Sequence, residues 1–207
     1  MHLRIRMESN ICARFTYLVV AFTLLATPAF GHTTTGVALG FKSGFIHPLT
    51  GLDHILAMVA VGIWGAQLGV PAIWLLPVTF PLVMSIGGVL GMRGVPIPGV
   101  EFGVAASAVV LGAMILLAVR PPLWVAAVVI GAFAIFHGHA HGTELPHAAR
   151  PLAYGAGFVL STGLLHLTGI SIGLINRWQV GGKALRVAGA VISVGGFVVL
   201  FALLKRI

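Results

Sequence analysis

The chain has very little charge for its length. Only 8% of its 207 residues are Asp, Glu, Lys or Arg, whereas a soluble domain carries about 25%. So few charges cannot cover a globule in water, and 58% of the residues are apolar. Together with a mean hydropathy of +1.07, this composition predicts an all-α integral membrane protein built as one helical bundle.

Acidic residues and cysteine are especially rare. Four Asp/Glu against twelve Lys/Arg give a formal net charge of +8. The positive residues stand singly at the ends of apolar runs, where they contact lipid headgroups and set orientation. We therefore expect the lipid bilayer as a partner and no nucleic acid. The single cysteine, Cys12, precedes the first apolar stretch, so the mature chain is predicted to lack thiolate metal ligands.

Several catalytic motifs are missing from the sequence. There is no Gly-x-x-x-x-Gly-Lys-Ser/Thr phosphate loop, so the chain does not hydrolyse ATP through that motif. There is also no His-Glu-x-x-His run and no Gly-x-Ser-x-Gly elbow, which speaks against an intramembrane hydrolase. We expect no enzymatic activity and no permanently bound cofactor.

Residues 1–31 have the pattern of an export signal. Three arginines precede an apolar stretch, and Ala29 and Gly31 are the small residues that a signal peptidase inspects. Cleavage would leave a mature domain, 32–207, that begins with His32 and has its N-terminus in the periplasm. The alternative is a retained, short first helix.

The mature sequence contains about six apolar segments separated by Gly- and Pro-rich joints. Glycines recur within the segments at four-residue spacing, which lets helix backbones approach closely in lipid. With the N-terminus outside, the residues before the first segment and the joint after the fourth are predicted to share the outer face. The predicted transmembrane helices lie near 51–69, 72–91, 100–119, 123–138, 152–175 and 184–204.

The first polar run is His-Pro-Leu-Thr-Gly-Leu-Asp-His, from His47 to His54. Thr50 is predicted to cap the following helix, and Asp53 then occupies a capping-box position. The alternative interpretation is functional: Asp53 and His54, with Met58 one turn further on, form a metal site toward which His47 folds back. Imidazole and carboxylate suit divalent nickel, cobalt or zinc.

The second polar run is Phe-His-Gly-His-Ala-His-Gly-Thr-Glu-Leu-Pro, beginning at Phe136. In a continuous helix, His137, His141 and Glu144 lie on one face at i, i+4 and i+7. His139 then points elsewhere, toward the mouth of the site or a supporting position. The two glycines alternatively allow a broken helix with free carbonyls facing a cavity. A third interpretation is that the run is a solvated loop without a function.

Two further histidines stand alone. His166, in the middle of the fifth predicted segment, is either a helix-to-helix hydrogen-bond partner or a site or relay residue. His32 would combine an imidazole with a free amine after cleavage, which makes a weak capture site for metal. His137 and His166 together also suggest bis-histidine haem ligation, although Asp53 and Glu144 would then lack a role.

The two polar runs resemble the signature motifs of the HupE/UreJ family, and the resemblance extends over the whole mature chain. These hydrogenase- and urease-associated membrane proteins are regarded as nickel or cobalt permeases of the bacterial inner membrane. The resemblance implies that Ni²⁺, or Co²⁺, is a transported substrate and that intracellular nickel-delivery proteins receive it. It implies metal handling by His47, Asp53, His54, His137, His141 and Glu144.

Three functions follow from these observations. The leading hypothesis is a secondary permease that takes up Ni²⁺ to supply hydrogenase or urease maturation. The second is a membrane metal sensor or storage protein that binds without transport. The third is the bis-histidine haem protein.

Overall fold

The computed structural model describes residues 37–145, 150–178 and 180–205. Within these ranges the chain is helical and contains no strand. Short 3₁₀ turns follow the first and sixth helices, at His47–Leu49 and Leu174–Arg177. The helices are α1 (Val37–Ile46), α2 (Leu52–Leu68), α3 (Ala72–Met92), α4 (Val100–Leu116), α5 (Leu123–Thr143), α6 (Pro151–Gly173) and α7 (Gly181–Leu204).

Four of these helices are long and apolar enough to cross a membrane: α3, α5, α6 with its 3₁₀ extension, and α7. Residues 39–49 and α2 pass the same test together, but they meet at a bend of 78°. The remaining helix, α4, is apolar and has 17 residues. The described residues therefore contain four or five candidate membrane spans by length and composition, as a membrane protein does, and the predicted count of six stays a prediction.

The helix boundaries follow from glycine and proline. Gly69, at φ +81°, ends α2, and Gly99, at φ +70°, precedes α4. Glycine adopts these left-handed conformations without the steric cost that other residues carry. Pro122 and Pro151 stand at the starts of α5 and α6, where a missing backbone N–H leaves no helical bond unmade.

Helix α2 is the centre of the bundle. It packs against α3, α4, α6 and α7, and most of its side chains are buried, including Met58 and Trp64. The indole Nε1–H of Trp64 donates to the backbone oxygen of Val119 at 3.1 Å. This central position explains how Asp53 and His54, at the N-terminal end of α2, come within reach of polar residues on a neighbouring helix.

Closely packed helix pairs surround α2. The most extensive contacts join α3 to α5 and α4 to α7, and both α1 and α2 pack on α6. Glycines lie at these contacts, as predicted: a Cβ on Gly138 would overlap the Met84 carbonyl oxygen, and one on Gly142 would overlap that of Gly88. The two glycines of the second polar run therefore serve close packing. Helix α5 is unbroken through Thr143, and the broken-helix alternative is wrong.

Helix α1 was not predicted from the sequence. This ten-residue helix is too short to span a bilayer, yet it packs along α6. A Cβ on Gly44 would overlap the Tyr154 carbonyl oxygen, and one on Gly157 would overlap that of Phe41. The 3₁₀ turn that follows α1 therefore reaches the N-terminal end of α2 beside α6.

The start of α2 differs from the predicted capping arrangement. The N-cap is Gly51 and makes no side-chain capping bond, while the Thr50 hydroxyl donates to the His47 carbonyl at 2.7 Å. Thr50 therefore closes the preceding turn instead of capping the helix. The predicted neighbourhood of the two polar runs is correct, because His47 and Glu144 approach to 3.5 Å at one end of the bundle.

Candidate metal centre

Six polar side chains from the two predicted runs form one contiguous cluster, which we call the histidine centre. It comprises His47, Asp53, His54, His137, His141 and Glu144. The cluster brings together the turn before α2, the first turn of α2 and the last turns of α5. The structure thus unites all six residues that the sequence and the family resemblance indicated.

Asp53 determines which ring nitrogen of His54 carries the proton and which keeps a lone pair. Its Oδ1 atom accepts the backbone N–H of His54 at 2.9 Å and lies 3.1 Å from Nδ1 of the same residue. A carboxylate can only accept, so Nδ1 carries the proton when the imidazole is neutral. Nε2 of His54 is then left with a lone pair, which is the arrangement typical of a metal-ligating histidine held by a carboxylate.

The imidazole of His141 contacts Nε2 of His54. Nε2 of His141 lies 2.6 Å from Nε2 of His54, so one nitrogen donates and the other accepts. Because His54 Nε2 has the lone pair, His141 donates through Nε2–H in the metal-free chain. Two nitrogens bound to one metal at about 2.0–2.1 Å are separated by ~3 Å. If the proton of His141 moves from Nε2 to Nδ1, which no described residue contacts by a hydrogen bond, a small rotation of the two rings would let both Nε2 atoms bind the same ion.

His137 is held by a serine on another helix. Nε2 of His137 lies 2.9 Å from the Ser107 hydroxyl, which donates its one proton to the Val104 carbonyl at 2.6 Å. Ser107 therefore accepts from His137 Nε2–H, and Nδ1 keeps a lone pair. Nδ1 is buried and no described residue bonds to it. The His137 ring lies 4.6 Å from the His54 ring, centroid to centroid, which places this imidazole in the histidine centre.

His47 and Glu144 form the exposed side of the centre. Nε2 of His47 lies 3.5 Å from a Glu144 oxygen, and the side chain of Glu144 is 61% exposed. Each of His47, His141 and Glu144 offers one ligand atom, and the three atoms lie within 4.8 Å of one another. A solvated ion can thus meet Glu144 and His47 first, because His141, His54 and His137 are buried.

Aromatic side chains of α6 enclose the centre. The Phe158 ring lies 4.3 Å from the His141 ring, and the Tyr154 ring lies 6.1 Å from that of His47. An apolar wall lowers the local dielectric constant, which strengthens the attraction between a cation and its carboxylates. Asp53 and Glu144 carry two negative charges, so a divalent cation would make the centre with its neutral imidazoles electrically neutral.

The other candidate residues lie outside the histidine centre. His139 is buried, and its Nε2–H donates to the Val95 carbonyl at 2.6 Å, which ties α5 to the loop after α3. Met58 is fully buried in the apolar core. His166 is buried in α6, where its ring contacts Phe80 at 5.6 Å. His32 lies outside the described residues, as does the predicted signal peptide.

Comparison with known proteins identifies the chain's relatives. The family model described as HupE / UreJ protein matches residues 20–199. The chain belongs to the HupE / UreJ family. Protein HupE of Rhizobium leguminosarum bv. viciae is 41% identical over 184 residues, which cover 88% of this chain and 96% of that protein. No solved structure matches the chain.

One supporting residue of this HupE/UreJ centre was missed by the sequence analysis. Ser107 is the one hydroxyl-bearing residue within α4, and a lone hydroxyl in an apolar segment is a usable signal because polar groups are costly at membrane depth. No rule of spacing links it to His137, which is 30 positions away. Only the packing of α4 against α5 brings the two together.

Proposed function

We propose that this HupE/UreJ chain is a secondary permease that takes up Ni²⁺ across the bacterial inner membrane. The observation that carries the proposal is the histidine centre, in which four imidazoles and two carboxylates meet at one end of an apolar bundle. Imidazole nitrogen and carboxylate oxygen suit a divalent transition metal. Co²⁺ is the second candidate substrate, since it takes the same ligands.

The arrangement supports capture followed by inward transfer. His47, His141 and Glu144 form an outer group in which Glu144 is exposed. His141 also touches His54, which in turn touches His137. An ion can therefore exchange the outer ligands for inner ones while His141 holds it. Stepwise exchange of this kind avoids a single site so tight that the ion cannot leave.

The membrane potential is a sufficient driving force in this proposal. A divalent ion gains about 4.6 kcal/mol per 100 mV, twice the value for one charge. We propose further that the signal peptide is cleaved, that the six apolar segments all span, and that the N-terminus is periplasmic. Intracellular nickel-delivery proteins would receive the ion for the maturation of hydrogenase or urease.

A binding protein without transport is the second candidate function, because the histidine centre alone explains capture. Haem ligation by His137 and His166 has less support. The Phe80 ring packs against both imidazoles, 5.4 and 5.6 Å away, and His137 Nε2 is already bonded to Ser107.

Uptake of labelled Ni²⁺ into cells that express the chain tests the proposal. Wild type is compared with Asp53→Ala, His54→Ala, His137→Ala and Glu144→Ala at matched membrane levels, with Co²⁺ and Zn²⁺ as competitors. We expect all four substitutions to abolish uptake. The exposed Ser85, whose hydroxyl donates to the Pro81 carbonyl of its own helix, supplies a matched control, Ser85→Ala. Wild-type uptake equal to that of an empty vector, with binding retained, would instead indicate the sensor or storage function.

A further inference from the structure

Helix α6 carries a line of buried polar groups that the histidine centre does not use. The hydroxyls of Ser161 and Thr162 are buried, and no described residue forms a hydrogen bond with them. The ring nitrogens of His166 are also buried, and the backbone carbonyl of Pro77 on α3 lies within their reach. Ser161 and Thr162 are fully buried, and His166 is 2% exposed. An unpartnered polar group inside an apolar bundle destabilises the fold. Such a group therefore needs a partner beyond those the described bundle supplies.

The exposed hydroxyls of the same helix behave differently. Thr168 donates to the Leu164 carbonyl at 2.9 Å, and Ser171 donates to the Leu167 carbonyl at 2.8 Å. A helical Ser or Thr can always satisfy itself through such a bond to the carbonyl four residues earlier. Ser161 and Thr162 do not form this bond, so their hydroxyls remain available to another partner inside the bundle.

The line of polar groups leads away from the histidine centre. Tyr154, whose hydroxyl also has no bond to a described residue, lies beside His47. Thr162 is two turns further along α6, and His166 is one turn beyond Thr162. The span from Tyr154 to His166 is thus ~18 Å at 1.5 Å per residue.

His166 is also connected to the centre through a single aromatic ring. Phe80 contacts the His137 ring at 5.4 Å and the His166 ring at 5.6 Å. We propose that Ser161, Thr162 and His166 form the path along which the metal ion leaves the histidine centre, with His166 as a second binding station. The inference rests on the proposed permease function and names the route within it.

The chemistry of this path suits an ion in transit. Imidazole binds divalent transition metals, and hydroxyl oxygens replace water ligands, but the three residues include no carboxylate. The His166 station is therefore weaker than the histidine centre, where Asp53 and Glu144 supply two negative charges. Conduction requires sites that bind the ion firmly enough to receive it and weakly enough to release it.

Two variants and one matched control test the path. Thr162→Val exchanges a hydroxyl for a methyl group of similar size, and His166→Gln keeps a polar side chain without the imidazole. The control, Thr168→Val, makes the same exchange on the exposed side of α6. Each protein is purified, reconstituted into liposomes and assayed for ⁶³Ni²⁺ uptake, and equilibrium Ni²⁺ binding is measured in detergent.

We expect Thr162→Val and His166→Gln to slow uptake at least tenfold while the tight Ni²⁺ affinity stays within twofold of wild type. Thr168→Val should behave as wild type in both assays. Uptake by Thr162→Val and His166→Gln at the rate of Thr168→Val would overturn the path and leave the permease intact. Loss of tight binding together with uptake would assign these residues to the stability of the centre, which also overturns the path. Absence of uptake by the wild type would refute the permease and the path together.

Discussion

Replacement of Ser107 by alanine tests whether the protonation pattern of the histidine centre matters. Ser107 accepts from His137 Nε2–H and so keeps the lone pair on Nδ1. Alanine removes this acceptor from a fully buried position. The proton of His137 then loses its fixed place, and the imidazole can adopt the tautomer whose Nδ1 is protonated and unable to bind metal.

The expected effect is a 10- to 100-fold loss of Ni²⁺ affinity, the typical consequence of removing a residue that orients a metal ligand. This range corresponds to about 1.4–2.8 kcal/mol, comparable to the ~1–3 kcal/mol cost of a buried donor left without an acceptor. Isothermal titration calorimetry in detergent measures the affinity, and ¹⁵N chemical shifts of the imidazoles report the tautomer. The control is Ser85→Ala, since Ser85 bonds within its own helix at an exposed position.

Two results would refute the reasoning. Equal Ni²⁺ affinities for Ser107→Ala and Ser85→Ala would show that the serine does not support a ligand. Weaker affinity with His137 still protonated at Nε2 would show that the loss arises from packing and not from the tautomer. The tautomer account requires both signals to change together.

Three further predictions follow from the same structure. Asp53→Asn should weaken Ni²⁺ affinity at least tenfold, because the amide removes a negative charge and no longer fixes the His54 tautomer. Calorimetry measures the affinity, and a variant that binds Ni²⁺ as tightly as wild type would contradict the prediction. Burial lowers the pKa of His47 below the ordinary value of about 6.5, so Ni²⁺ affinity should change little near pH 6.5 and weaken at lower pH, by at most about tenfold per pH unit for each imidazole that becomes protonated; calorimetric titrations down to pH 4 measure the change, and a constant affinity over that whole range would contradict His47 as a ligand. Gly138→Ala should destabilise the bundle by roughly 1–3 kcal/mol, because its Cβ would overlap the Met84 carbonyl. Thermal unfolding in detergent measures the change, and the control is Gly155→Ala, where a Cβ meets no atom within 4 Å. Equal melting temperatures for the two variants would show that α3 and α5 can separate freely.

The sequence predicted which candidate ligands lie together better than it predicted the residues that support them. His137, His141 and Glu144 could be assigned to one face because helical geometry fixes the positions of residues i, i+4 and i+7. The approach of His47 to Glu144 followed from counting spans, which put both segments at one end. Ser107 could not be predicted in this way, because its contact with His137 depends on how α4 packs against α5.

The positions at which helices begin and end were harder to predict from the sequence than the presence of the long apolar helices. Helix α5 was expected to end at Gly138, where glycine normally weakens a helix, but tight packing on α3 carries it to Thr143. Helix α1 was missed because ten residues that include Lys42 do not form an apolar span. In both cases tertiary contacts, which no local pattern records, determined the outcome.

The distribution of the histidine centre over the bundle has a mechanical consequence. His54 comes from α2, which packs on α6. His137 and His141 come from α5, which is locked to α3, and Ser107 comes from α4, which is locked to α7. A bound ion would thus link these helix pairs through its ligands. Movement of one pair relative to another would pull ligands away from the ion. Saturating metal at 100 times Kd would add about 2.7 kcal/mol to the free energy of unfolding, so the bundle is expected to be less stable once the ion has left.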